Sequence, residues 1–247
     1  MTKLSSQAAA AVASLPITYE AGLQALVLSV SGEVGWARRA AAALRTQPES
    51  IVVVERPVRS SSDELVGRED RVVVDSAWGH NPTVADATTF LRASTDPLVE
   101  LHVDAPKGDD LRQWVFEALL LLDRLVGVAG LEILDETVDR FVATGTTPDG
   151  RALSVTAARI DALEGSAHIR SIGSSQRITV DFFDPDTARP PLLSVETTDQ
   201  LVVVPTAWET GSRGAWRQAA SIATSPVRAS HLDLFSFRNL MQHFPLH

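Results

Sequence analysis

Glu100-x-His102-x-Asp104 is the stretch of this chain best suited to chemistry. Alternate residues of an extended strand share a face. Glu100, His102 and Asp104 would therefore project together, while Val99, Leu101 and Val103 face the other way. An imidazole between two carboxylates can hold a divalent metal or exchange protons. The same alternation also describes a strand whose outer face is simply solvated.

A second stretch, Asp75-Ser76-Ala77-Trp78-Gly79-His80-Asn81, joins a β-branched run to a helical one. Loops at such junctions often carry function. Asp75 and His80 could orient one another there. Alternatively, Trp78 fills a gap in the core and Asn81 caps the helix that follows. Convergence of Asp75, His80, Glu100, His102 and Asp104 would give an acid–base or metal-assisted hydrolase centred on His102.

Other patterns carry less. Asp181, Asp184 and Asp186 surround a turn but lack the glycine and distal glutamate of a calcium loop. Ser31-Gly32-Glu33-Val34-Gly35 stands where a phosphate loop would stand. It has neither the lysine nor the glycine spacing, and Glu33 would repel phosphate. There is no G-x-S-x-G elbow. There is no cysteine, which excludes disulfides, thiolate metal sites and iron–sulfur clusters. No cofactor is expected.

The 247 residues carry a formal charge of −9. Residues 51–150 hold 9 basic against 19 acidic side chains, so the excess sits in the middle of the chain. Nucleic-acid binding needs a basic footprint, and none is present. Apolar runs such as Ala118 to Leu122 are far too short to cross a bilayer. The expectation is a cytoplasmic protein that binds neither nucleic acid nor membrane.

The elements that must position these residues follow from periodicity. Residues 22–30, 51–54, 71–75 and 97–103 read as strands, and 33–44 and 82–93 as helices. The order β-α-β-β-α-β predicts a ferredoxin-like half. Residues 109–126 form a helix apolar nearly all round, hence one that is buried. Residues 137–144, 152–160, 167–172, 177–183, 192–197 and 201–204 then read as an antiparallel meander. Closing helices follow at 214–223 and 232–244, with Leu232, Phe235, Leu240 and Phe244 as docking residues. A short helix is expected at 6–13.

The fold class is thus α+β, with a first half at 1–127 and a second at 128–247, possibly one continuous domain. Without a strong catalytic signature, the leading functional expectation is a non-catalytic binding or regulatory protein. It would engage a protein partner or form a homo-oligomer through a free sheet face or edge strand. The alternative is the hydrolase centred on His102.

Overall fold

The computed structural model describes residues 26–161, 164–187, 189–207, 209–224 and 232–244. The helix expected at 6–13 lies outside them. The chain divides into two compact units, one built from Met1–His80 with Thr210–His247 and one from Asn81–Glu209. The boundary expected between residues 127 and 128 falls inside the second.

In the first unit, β1 (Val27–Ser31), β2 (Ile51–Glu55) and β3 (Val72–Asp75) form a parallel three-stranded sheet in the order β1-β2-β3. Ile51 to Val54 and Val72 to Asp75 are buried at every position. Continuous burial of this kind marks a parallel sheet covered on both faces. Helix α1 (Trp36–Thr46) makes the β1-to-β2 crossover, burying Trp36, Ala37, Ala40, Ala41 and Leu44. Helix α4 (Gly211–Thr224) sets Ala215, Trp216, Ala219 and Ala220 against Val27, Ile51, Val53 and Val73. In α5 (Leu232–His243), Phe237 meets Trp36 edge to face at 5.2 Å. Leu240 and Phe244 are buried as expected, but Phe235 is exposed and Leu234 and Phe237 take the inner positions.

The second unit holds α2 (Thr83–Ala93), β4 (Leu98–Pro106), α3 (Leu111–Leu125) and seven further strands. These are β5 (Gly130–Glu136), β6 (Arg140–Thr146), β7 (Ala152–Ile160), β8 (Ser166–Ile172), β9 (Gln176–Phe183), β10 (Leu192–Thr197) and β11 (Leu201–Val204). The eight strands form one sheet in the order β11-β10-β9-β8-β4-β7-β6-β5. β4 lies parallel to β7 and antiparallel to β8.

This arrangement corrects the ferredoxin-like half. The predicted elements exist, but β4 does not join β1, β2 and β3. Val99, Leu101 and Val103 are buried, while Glu100 and Asp104 are part-exposed and His102 exposed. A strand with one wet face cannot sit in a parallel sheet covered on both sides. It enters the mixed eight-stranded sheet, where one face packs and the other is solvated. Gly130–Glu136, absent from the predicted strands, forms the far edge.

Helix α3 is buried nearly all round and packs on this sheet. The Asp110 carboxylate accepts from Arg112 N at 3.0 Å and caps it. Arg92 of α2 donates to the carbonyls of Leu125 and Arg124, satisfying the other end. Among the described residues, no helix is long and apolar enough to cross a membrane.

Candidate functional site at the carboxyl edge of the parallel sheet

Ligands of open parallel sheets bind outside the carboxyl ends of the strands. In the first unit these ends carry Ser31, Glu55 and Asp75, which stand side by side in register. Ser29 on β1 donates its hydroxyl to the Glu55 carboxylate.

The backbone after β2 is unusual. Arg56 has φ 43°, the only non-glycine among the described residues in the left-handed region. Such a conformation is costly for a side chain with a Cβ and points to a functional constraint. Arg56 N donates to Asp75 O at 2.9 Å, and Val58 N to Gly32 O at 2.8 Å. These bonds tie the ends of β1, β2 and β3 together. A Cβ on Gly32 would collide with the carbonyl oxygens of Glu55 and Arg56, so only glycine fits there.

Asp75 is buried, and its Oδ2 accepts from Ser212 Oγ at 2.7 Å. Burial pushes its pKa up to about 7. The Ser212 hydrogen bond and the Arg56 charge pull against that rise, and Glu55 adds to it. Its second oxygen, Oδ1, is buried without a hydrogen-bond partner among the described residues. Asp75 is therefore a carboxyl group able to take or give a proton near neutrality.

His80 does not orient Asp75. It is buried, and its Nε2 lies 2.8 Å from Val74 O, the carbonyl to which it donates. Asn81 Oδ1 accepts from Thr83 N at 3.0 Å and so caps α2. Trp78 is buried, so the loop largely follows its structural reading.

Glu100, His102 and Asp104 belong to the second unit, Asp75 and His80 to the first. The three β4 residues share the wet face of the eight-stranded sheet. His102 Nε2 lies 3.1 Å from Asp104 Oδ1 and its Nδ1 lies 2.9 Å from Thr156 Oγ1. The network extends to residues the sequence reading missed. His168 Nδ1 lies 2.7 Å from Asp181 Oδ1, and its Nε2 lies 2.9 Å from Ser166 Oγ. Hydrogen bonding to Asp181 holds the His168 pKa above the usual imidazole range, against a smaller effect of burial.

Ser166, His168 and Asp181 have the separations of a nucleophile, base and orienting acid. The surroundings do not suit acyl transfer. β8 is paired on both sides, so its backbone N–H groups are spent in the ladder. Asp104 Oδ2, 3.2 Å from Ser166 Oγ, also puts an anion where negative charge would have to develop. Among the described residues, no group of three or more His, Cys, Asp or Glu could hold a metal ion.

No family model matches the chain, and no curated protein matches it. Its fold does resemble solved structures. The UDP-N-acetylglucosamine 3-dehydrogenase GnnA from Acidithiobacillus ferrooxidans matches with a TM-score of 0.61 at 19% identity, covering 88% of this chain and 76% of that one. KijD10, a 3-ketoreductase from Actinomadura kijaniata solved with NADP, matches with a TM-score of 0.65 at 17% identity, covering 86% and 74%. The fold is thus shared with these two solved structures.

This likeness overturns the expectation of a non-catalytic binding or regulatory protein, since the fold is shared with catalytic oxidoreductases. It lends no support to the hydrolase centred on His102, since the neighbours are named as a dehydrogenase and a ketoreductase. The earlier inference rested on missing motifs, and missing motifs do not exclude a catalytic fold.

The loop between β1 and α1 offers no open cradle for a dinucleotide diphosphate. Arg39 donates to the carbonyls of Val34, Ser31 and Glu33, closing the loop between β1 and α1 on itself. Gly32 is packed against Glu55 and Arg56, and Glu33 is anionic.

Proposed function

We propose that this protein is an oxidoreductase-class enzyme acting on a polyhydroxylated, sugar-like substrate, with its acid–base chemistry at the carboxyl edge of β1, β2 and β3. In such a reaction a secondary alcohol and a ketone interconvert: a hydride would pass between the carbon and a nicotinamide cofactor, and a proton leaves or joins the oxygen. Asp75 is the residue suited to carry that proton. A carboxyl group titrating near 7 works in both directions at neutral pH.

Arg56 is suited to the substrate's oxygen atoms. Its left-handed backbone stands immediately after Glu55, the last residue of β2 paired with β1 and β3. A guanidinium there can receive a developing alkoxide or an anionic substituent. A UDP-sugar is named for one solved neighbour and a TDP derivative is bound in complexes of the other, and such molecules carry anionic groups. The observation that carries the reading is the pairing of a protonatable buried Asp75 with a strained Arg56 at this edge.

The test is calorimetric titration with UDP-N-acetylglucosamine, followed by turnover with NADP or NADPH supplied. The expected result is saturable binding that weakens about tenfold or more in Arg56→Ala, from loss of charge-assisted hydrogen bonds. Turnover would follow a single ionisation near pH 7 that disappears in Asp75→Asn. Absence of nucleotide-sugar binding together with absence of turnover overturns the reading.

A further inference from the structure

The opposite, amino-terminal edge of the same parallel sheet holds a cavity of about 400 Å³ lined by Leu44, Arg45, Pro48, Gly67, Arg68, Asp70 and Arg71. We propose that it is a second ligand site, one that takes the phosphate group of a small phosphorylated metabolite. It is separate from the carboxyl-edge site, because Arg71 immediately precedes β3 and Asp75 ends it. Four residues of strand place the two edges about 13 Å apart.

Three observations carry the assignment. First, three arginine residues line one cavity in a chain whose residues 51–150 are strongly acidic. Second, the groups are not equivalent. Arg71 is fixed, donating to Glu49 O at 2.9 Å and to the Glu49 carboxylate at 3.3 Å, with Asp70 at 4.0 Å. Arg45 and Arg68 have no carboxylate partner within salt-bridge distance among the described residues, and Asp70 is the one acidic residue lining the cavity. Third, Gly67 has φ 77°, and a Cβ there would meet nothing within 4 Å, so the turn opens toward free space beside Arg68.

Arg45 stands in the last turn of α1, and Arg68 precedes the 3-10 turn Glu69–Arg71. A phosphate between them would gain two forked donor groups, the geometry in which arginine binds oxyanions best. Leu44 is buried and Pro48 exposed, which gives the cavity an apolar side as well. The volume lies within the range of small-molecule pockets and exceeds what a bare phosphate fills. A phosphate carried on an organic body, such as a nucleoside monophosphate, fits both features.

The test is calorimetry on the full chain at fixed ionic strength, with inorganic phosphate, uridine 5′-monophosphate and uridine as probes. Saturable binding of phosphate and of the monophosphate, with none of uridine, is expected. The monophosphate should bind more tightly than phosphate. Arg68→Ala and Arg45→Ala should each weaken binding about tenfold, and added salt should weaken it further. Arg56→Ala should leave these affinities unchanged, which separates this site from the carboxyl-edge reading. Arg45→Lys and Arg68→Lys, which keep charge but lose the fork, should retain part of the affinity and confirm that the variants fold. No saturable phosphate binding, or equal affinity in wild type and in the Arg45→Ala/Arg68→Ala double variant, overturns the proposal.

Discussion

The Asp75 carboxylate accepts a hydrogen bond of 2.7 Å from Ser212 Oγ, joining the end of β3 to the first turn of α4 across 137 residues of sequence. Two close approaches bring α4 there. Cβ atoms on Gly211 or Gly214 would collide with the backbone of Ser76, Ala77 and His80. The first unit therefore closes on a protonatable group, and its stability must depend on pH.

The sign follows from linkage. Asp75 titrates at about 7 in the folded protein, against roughly 3.9 in an unfolded chain. Between those values the native state holds a proton that the unfolded state has released. Stability then falls as pH rises through the window, by at most about 4 kcal/mol for the full shift, and levels off above it. Asp75→Asn cannot ionise yet keeps an acceptor for Ser212. Urea unfolding should find the variant close to wild type at pH 4 and more stable by about 2 kcal/mol or more at pH 8. A variant weaker than wild type at pH 8 would mean that the ionised carboxylate is favourable there.

Arg56 and Gly32 make opposite predictions about the same contact. Gly32→Ala must push its new methyl group into the carbonyls of Glu55 and Arg56. The cost is about 1–3 kcal/mol by the usual scale of overpacking. Arg56→Gly instead relieves a left-handed residue at φ 43° and should leave stability unchanged or raise it by about 1 kcal/mol. The same variant should lose substrate binding. Thermal unfolding beside calorimetry separates the two effects, and equal losses in both would mark Arg56 as merely structural.

His168 carries a pH dependence of the same sign, because its pKa is also higher in the folded protein. Its pKa is raised, chiefly by hydrogen bonding to Asp181 and then by the charges of Asp181 and Asp104, against burial and Arg170. A raised imidazole contributes stability below its unfolded pKa and loses it as pH rises through the folded one. Asp181→Asn should therefore cost more at pH 6 than at pH 9. An NMR titration should show the His168 ring pKa falling in the variant, while an unmoved value would remove Asp181 as the cause.

Much of this was legible in the sequence, and the remainder had physical reasons to stay hidden. The alternation of Val99, Leu101 and Val103 with Glu100, His102 and Asp104 described β4 correctly, since one wet and one dry face is a local property. Which sheet β4 joins is not local. It depends on pairing with β7 and β8, roughly 50 to 70 residues onward. Arg56 was hidden for another reason. It follows an ordinary β-branched run, and nothing in its type announces a left-handed backbone. His168 and Asp181 lie on adjacent strands, and only the β8–β9 register makes them opposite. The visible signal was their shared alternation with Ile169 and Val180, which on two neighbouring strands places polar groups on the same face.

The last expectation concerns β11, which closes one side of the eight-stranded sheet. Leu201, Val202 and Val203 are all exposed, and the strand consists of four apolar residues. Native edges are usually guarded by charge, proline or a bulge, because an open ladder recruits other strands. Here Pro205 stands only after the strand. Val203→Lys places a charge on the edge at a site already open to water, so stability should change by only about 0.5 kcal/mol. Light scattering during mild heating should then show slower aggregation than wild type at equal concentration. Unchanged aggregation with unchanged stability would mean that β11 is not the surface through which the unfolding chains meet.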